Sequence, residues 1–113
     1  METLKKSNEF KLIYNYGKKS YGYYSLVFFK KTKNKNNRMG FVVSKKIGNA
    51  VCRNRIRRLF REYYRENQER IKKGYEIIFV GKKNAGNVYK NLKYQEMKKD
   101  IDKIFKKSNL FTY

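Results

Sequence analysis

Histidine is missing altogether from this chain, as are proline and tryptophan, and there is one cysteine, Cys52. Without histidine the usual zinc sites cannot be assembled. Histidine-dependent triads and histidine general bases fall away for the same reason. A lone cysteine forms no internal disulfide, which fits a reducing, cytoplasmic setting. No apolar run reaches the roughly 18 residues of a transmembrane helix. The opening Met1-Glu-Thr-Leu-Lys-Lys leads into polar sequence, so no secretory signal is expected. No repeat and no proline- or serine-rich linker divides the chain, and its 113 residues are expected to form a single domain, 1–113.

Acidic residues are the other scarcity. Asp and Glu total 9 against 30 Lys and Arg, a formal net charge of +21. Glu9 and Glu62 bracket 52 residues without one acid, a stretch that holds nine lysines and six arginines. A solvated surface ordinarily mixes signs, so a polyanion is the expected partner: RNA, DNA or an acidic membrane. Codon bias toward A+T accounts for scattered lysines without any partner. It does not cluster arginine, and six of the eight arginines fall between 53 and 65. Hydrophobic residues make up 40% and aromatics 17% of the chain, enough for a packed core and unlike a disordered segment.

Periodicity places the elements. Ser7 or Asn8 is positioned to cap a helix that runs to about Tyr16, with Phe10, Ile13 and Tyr14 at helical spacing and Gly17 to stop it. Lys18–Tyr21 reads as a brief extended piece and Tyr23–Lys31 as a strand. The polar Lys33–Asn37 turn then predicts an antiparallel partner strand over Met39–Ser44. A loop follows over Lys45–Asn49, and Asn49 is a good N-cap for a long helix from about Ala50 to Glu69. Tyr75–Val80 reads as a third strand, Gly81–Gly86 as a basic loop, Val88–Leu92 as a helical turn and Tyr94–Lys107 as a final helix. The ends are expected to be frayed or loose. The fold class is α+β, helices packed against one sheet.

The long helix is the most informative segment. Ile56, Leu59, Phe60 and Tyr63 share one side, while Arg53, Arg57, Arg61 and Arg65 recur every four residues on another, with Arg58 beside them. Guanidinium groups grip phosphate through a planar fork of donors, and a ladder of them suits a polymer of phosphates. The alternative is a solvated helix in which Glu62, Glu66 and Glu69 pair with Arg58, Arg65 or Arg70. Cations in the first turns oppose the helix dipole, and no nearby acid pairs with Arg53, Arg55 and Arg57.

Lys45-Lys46-Ile47-Gly48-Asn49-Ala50-Val51-Cys52-Arg53-Asn54-Arg55-Ile56-Arg57-Arg58-Leu59-Phe60-Arg61-Glu62 closely resembles the signature of the bacterial ribonuclease P protein component. Gly40-Phe41-Val42-Val43-Ser44 resembles the strand before that signature. Glu9-Phe10 with Tyr14 and Gly17-Lys18 resembles the family's first helix and turn. The resemblance implies a two-layer α/β sandwich in α-β-β-β-α-β-α order with a left-handed β-α-β crossover (ribosomal protein S5 domain 2-like). It implies the small subunit of a ribonucleoprotein that removes the 5′ leader from precursor tRNA, with catalysis and Mg²⁺ carried mainly by the RNA subunit and substrate. The implied partners are the catalytic RNA and precursor tRNA, with no membrane and no obligate protein partner.

Residue by residue, the resemblance assigns Lys46, Arg53, Asn54, Arg55, Arg57, Arg58 and Arg61 to the RNA subunit. It assigns Phe10, Tyr14, Phe28 and Lys45 to a cleft for the single-stranded leader, and no residue to catalysis. Aromatic faces beside basic groups suit single-stranded RNA, where stacking contributes about 1–3 kcal/mol per base; plain core packing is the other use of each ring. Asn54 is suited to orienting a neighbour, Gly48 to a turn and Cys52 to packing. Glu9, Glu62 and Glu66 make a weak set for hydrated Mg²⁺. A structural RNA-binding protein would use the same charge, whereas an autonomous nuclease would need acids that the chain lacks.

Overall fold

Alternation of apolar residues builds one five-stranded sheet, and amphipathic helices cover it unequally. The computed structural model describes residues 1–113. In chain order the elements are β1 (Glu2–Thr3), α1 (Ser7–Tyr16), β2 (Lys18–Tyr21), β3 (Ser25–Lys31), β4 (Arg38–Val42), α2 (Ala50–Asn67), β5 (Tyr75–Gly81), α3 (Lys83–Asn87) and α4 (Tyr94–Lys107), with a 3₁₀ turn at Gln68–Arg70. The strand order is β1-β4-β5-β3-β2. β4 lies parallel to β5, with α2 as the crossover between them, and β3 runs antiparallel to β5 and to β2.

This order corrects the expected hairpin between Tyr23–Lys31 and Met39–Ser44. β5 lies between those strands, pairing Phe28 with Ile78 on one side and Gly40 with Ile78 on the other. The polar turn is bound to the entry of β5: the buried Asn37 side chain donates to the Lys72 carbonyl at 2.9 Å and accepts from the Tyr75 amide at 2.8 Å. The Thr32 amide adds a bond of 2.7 Å to the Gly74 carbonyl.

One face of the sheet carries Val27, Phe29, Met39, Ile77 and Phe79 into the main core, against Ile56, Leu59, Phe60 and Tyr63 of α2 and Met97, Ile101, Ile104 and Phe105 of α4. At roughly 1.5–3 kcal/mol for each large apolar side chain removed from water, this layer dominates stability. Asp100 anchors α4 to the sheet edge, accepting from the Tyr23 and Tyr24 amides at 2.6 and 3.0 Å and from the Ser25 hydroxyl at 2.8 Å. Burial, then its bond to Asp102, pushes the Tyr63 phenol far above its ordinary pKa, so it remains a neutral donor.

Three further expectations are corrected. The N-terminus is tied down, since Glu2–Thr3 pairs with β4 and Leu4 is buried. The C-terminal tail is packed: Leu110 and Phe111 are buried and Phe111 bridges to Ile71. A short helix covers Lys83–Asn87, over most of the expected basic loop Gly81–Gly86, and the turn expected at Val88–Leu92 follows it as a hydrogen-bonded turn over residues 88–91. Ala85, buried on that helix, fixes it against the core, an anchor that a basic stretch conceals.

Candidate nucleic-acid interface

α2 opens as its sequence requires. The Asn49 side chain accepts from the Cys52 amide at 2.9 Å. The Cys52 sulfur packs against Gly48, where an added Cβ would lie 2.6 Å from it, and burial raises the thiol's pKa. Cys52 is therefore a small packing group. The buried stripe of α2 turns its arginines to the flanks and to solvent. Arg57 donates to the Asn54 side chain at 2.8 Å and to the Val43 carbonyl at 3.5 Å, so Asn54 orients Arg57. The Arg61 guanidinium lies 5.6 Å from the Phe41 ring centre, a cation–π placement. Arg53 donates to the Asn49 carbonyl at 3.4 Å.

Arg53, Arg57 and Arg61 thus line the β4 side of the helix, while Arg58 and Arg65 are exposed on its outer surface. Arg55 is separated from them: on the opposite flank it donates to the Leu92 carbonyl at 2.9 Å and holds the segment that enters α4. None of the six arginines between 53 and 65 forms an ion pair, since the salt bridges are Arg38 with Glu9 and Glu76, and Arg70 and Lys98 with Asp102. Pairing of Arg70 with Glu66 or Glu69 is replaced by the Asp102 contact at 2.7 Å. Glu66 instead faces the Tyr94 phenol, whose pKa is pushed up to about 12 by burial first and by that carboxylate next. Lys45 and Lys46 are exposed on the turn between β4 and α2.

The opposite sheet face carries the aromatic group. α1 crosses it, with Ile13 buried against Leu4 and Ile78. The Glu9 carboxylate closes the first turn by accepting from the Lys5 and Lys6 amides at 3.2 and 3.0 Å, so the cap position is Lys6 and the carboxylate does the work expected of Ser7 or Asn8. Those two amides, Lys6 foremost, and then Arg38 draw the Glu9 carboxyl down to about 2. At the far end Gly17 donates to the Ile13 carbonyl at 2.8 Å, and an added Cβ would come 2.8 Å from the Phe29 carbonyl oxygen. Close approach of helix and strand, not a left-handed backbone, selects glycine there.

Phe10, Tyr14 and Phe28 are brought together. Ring centres lie 6.5 Å apart for Phe10 and Tyr14 and 4.8 Å for Tyr14 and Phe28, the latter pair edge-on. The Phe10 ring sits over Gly40, where a Cβ would meet it at 2.6 Å. Tyr14 remains 39% exposed, and partial burial raises its phenol pKa, leaving a neutral face open to solvent. Beside these rings, Leu26, Val80 and Val42 are adjacent across β3, β5 and β4 and are only partly covered. The surface is an apolar shelf with an aromatic wall; Lys45 lies three residues beyond the Val42 end of β4, on the exposed turn.

Sequence reasoning missed Leu26, Val42 and Val80 as shelf residues, although strand alternation places them on the face of Phe28. It also missed Gly40, a glycine inside a strand, which signals close approach of another group. Lys19, directly across from Phe28 in β2, carried no signal, because the pairing of its strand was not legible. The candidate magnesium acids do not converge: Glu9 lies on α1 and is bound to Arg38, whereas Glu62 and Glu66 lie on α2 on the other side of the sheet. No group of three metal-ligating side chains forms anywhere in the chain.

Comparison with known proteins agrees over almost the full length. The family profile of Ribonuclease P matches residues 1–109. The ribonuclease P protein component of Fusobacterium nucleatum is 52% identical over 110 residues, covering 97% of this chain and 99% of that protein. That of Clostridioides difficile is 36% identical over 108 residues, covering 95% and 91%. Among solved structures, the Staphylococcus aureus RNase P protein superimposes with a TM-score of 0.87 at 26% identity, covering 99% of each chain. The Thermotoga maritima RNase P protein gives 0.86 at 29% identity, covering 95% and 97%. Sequence, fold and the placement of the arginine-rich helix lead to one conclusion: this chain belongs to the ribonuclease P protein family.

Proposed function

We propose that the chain seats the catalytic RNA of ribonuclease P with one layer of its sandwich and the single-stranded 5′ leader of precursor tRNA with the other. One observation carries the reading: two chemically different RNA-compatible surfaces share β4. On one side Arg53, Arg57 and Arg61, with exposed Arg58 and Lys46, form a cationic row that no carboxylate neutralises. On the other side Phe10, Tyr14 and Phe28 offer aromatic faces next to the shelf, with Lys45 on the exposed turn that follows β4. Repeated guanidinium groups suit a structured phosphate backbone, and aromatic faces with lysine suit unpaired bases.

Each residue has a stated task in this reading. Arg53, Arg57, Arg58, Arg61 and Lys46 bind phosphates of the RNA subunit, and Asn54 keeps Arg57 aimed. Arg55 acts one step back, by holding the Leu92 carbonyl. Phe10, Tyr14 and Phe28 stack leader bases, and Lys45 neutralises a leader phosphate. The chain supplies binding and alignment, and no side chain is placed as an acid, base or nucleophile. The Mg²⁺ that supports hydrolysis is assigned to the RNA subunit and substrate, where it would activate water and stabilise the leaving oxygen.

The test is reconstitution. Added to its RNA subunit at low Mg²⁺, the chain should raise the rate of precursor-tRNA cleavage. Tyr14→Ala should spare assembly and reduce affinity for leader-bearing substrate by about tenfold, the equivalent of one stacked base at about 1–3 kcal/mol. No gain over RNA alone would overturn the proposal. Recovery of the chain with ribosomal subunits in place of one structured RNA would favour a structural RNA-binding role.

A further inference from the structure

A second cationic surface borders the aromatic shelf on the side remote from the arginine row. Where β2, the C-terminal end of β3, the entry to β5 and the end of α4 meet, they enclose an open groove of about 880 Å³. Lys18, Lys19, Lys30, Lys31, Lys72 and Lys107 line it, and no acidic residue does. None of these six lysines forms an ion pair. Lys107 sits in the last turn of α4, where a cation complements the helix dipole, and donates to the Tyr21 carbonyl at 2.6 Å. Helix support does not account for the other five, which come from three separate segments. Like charges gathered in one concavity repel one another, a cost that an anionic polymer removes.

The groove also has aromatic walls, Tyr75 and Tyr16, and Tyr16 is 75% exposed. It meets the shelf's face of the sheet through Lys19 and Lys30. Tyr14 and Tyr16 belong to the last turn of α1; Lys30 shares the face of Phe28, whereas Lys18, Phe29 and Lys31 lie on the opposite face, so the groove takes residues from both sides of the β2 edge. Lys19, paired across the sheet with Phe28, also lines the groove and so belongs to both surfaces.

We propose that this groove takes the leader's continuation: single-stranded RNA that leaves the shelf past Tyr14 and Phe28, rounds the end of α1 at the β2 edge, and places its phosphates on the lysines. The proposal rests on the leader reading of the shelf and extends it to nucleotides farther from the shelf. It predicts that affinity for substrate grows with leader length beyond what the shelf alone holds.

The experiment uses reconstituted holoenzyme and precursor tRNAs in two sets: leaders just long enough to fill the shelf, and leaders about twice as long. The variant is Lys18→Ala/Lys31→Ala/Lys72→Ala, compared with wild type by thermal melting to establish equal folding. Each engaged lysine contributes about fivefold at 0.1 M salt, from a slope of about 0.7 per single-strand phosphate. The variant should therefore lose roughly 100-fold on long leaders if all three lysines engage, and nothing on short ones. Tyr16→Ala, at a position too exposed to matter for folding, should show the same dependence on leader length. Equal losses on both sets, or no loss on either, would overturn the groove's role. Failure of the shelf reading has a different signature: Tyr14→Ala would leave short-leader binding unchanged.

Discussion

Removing Arg53, Arg57 and Arg61 together should change how affinity for the RNA subunit depends on salt. These side chains line the β4 flank of α2 and meet no carboxylate. If each engages one phosphate, the magnitude of the slope of log affinity against log salt should fall by about 0.9 per residue, or roughly 2.7 for the triple alanine variant. At 0.1 M salt the same slope corresponds to about eightfold per contact and roughly 500-fold for three. The assay is fluorescence anisotropy with labelled RNA subunit, titrated at several KCl concentrations and fixed Mg²⁺. Arg55→Ala is the internal control. Its guanidinium is committed to the Leu92 carbonyl, so its loss should lower unfolding free energy by about 1–2 kcal/mol and leave the slope intact. The reasoning is refuted if the triple variant keeps the wild-type slope, or if Arg55→Ala flattens it as much as Arg57→Ala does.

Other expectations concern the scaffold. Asp100→Asn should destabilise the fold by about 2–3 kcal/mol in urea unfolding, because an amide cannot accept all three bonds that the carboxylate takes from Tyr23, Tyr24 and Ser25. Gly40→Ala should cost about 1–3 kcal/mol by driving a methyl group into the Phe10 ring, and leader affinity should fall with it. Glu9, drawn down to about 2 by the Lys6 and Lys5 amides and Arg38, stabilises the folded state above its ordinary pKa. That contribution is lost as pH drops from about 4.5 toward 2, so Glu9→Gln should flatten the stability profile in that window and nowhere else. With a net charge of +21, the free chain should melt at higher temperature in sulfate than in chloride at equal ionic strength, and equal melting would show that self-repulsion is unimportant.

Local chemistry was legible in the sequence and distant pairing was not. Asn49 announced the start of α2, and the spacing of Met97, Ile101, Ile104 and Phe105 gave the buried face of α4. The hairpin expectation failed because two strand-like runs around a polar turn look alike whether or not they pair. The deciding contacts, Asn37 with Lys72 and Tyr75, span 35 and 38 residues, and no periodicity records them. The ends looked loose for a related reason: Leu4 is a lone apolar residue and Leu110-Phe111 a lone apolar pair, and their burial depends on β4 and Ile71. Arg55 reads like its neighbours in a list of arginines. Only the helix rotation relative to Leu92 sets it apart.

β4 offers Met39 and Phe41 to the arginine-bearing layer and Gly40 and Val42 to the aromatic shelf. Successive residues of one strand thus address the two layers in turn. A ribozyme docked on one layer and a substrate tail on the other would be held at an offset set by covalent backbone geometry. Cutting accuracy would then come from a stiff spacer, with no need for the protein to read a base at the scissile bond.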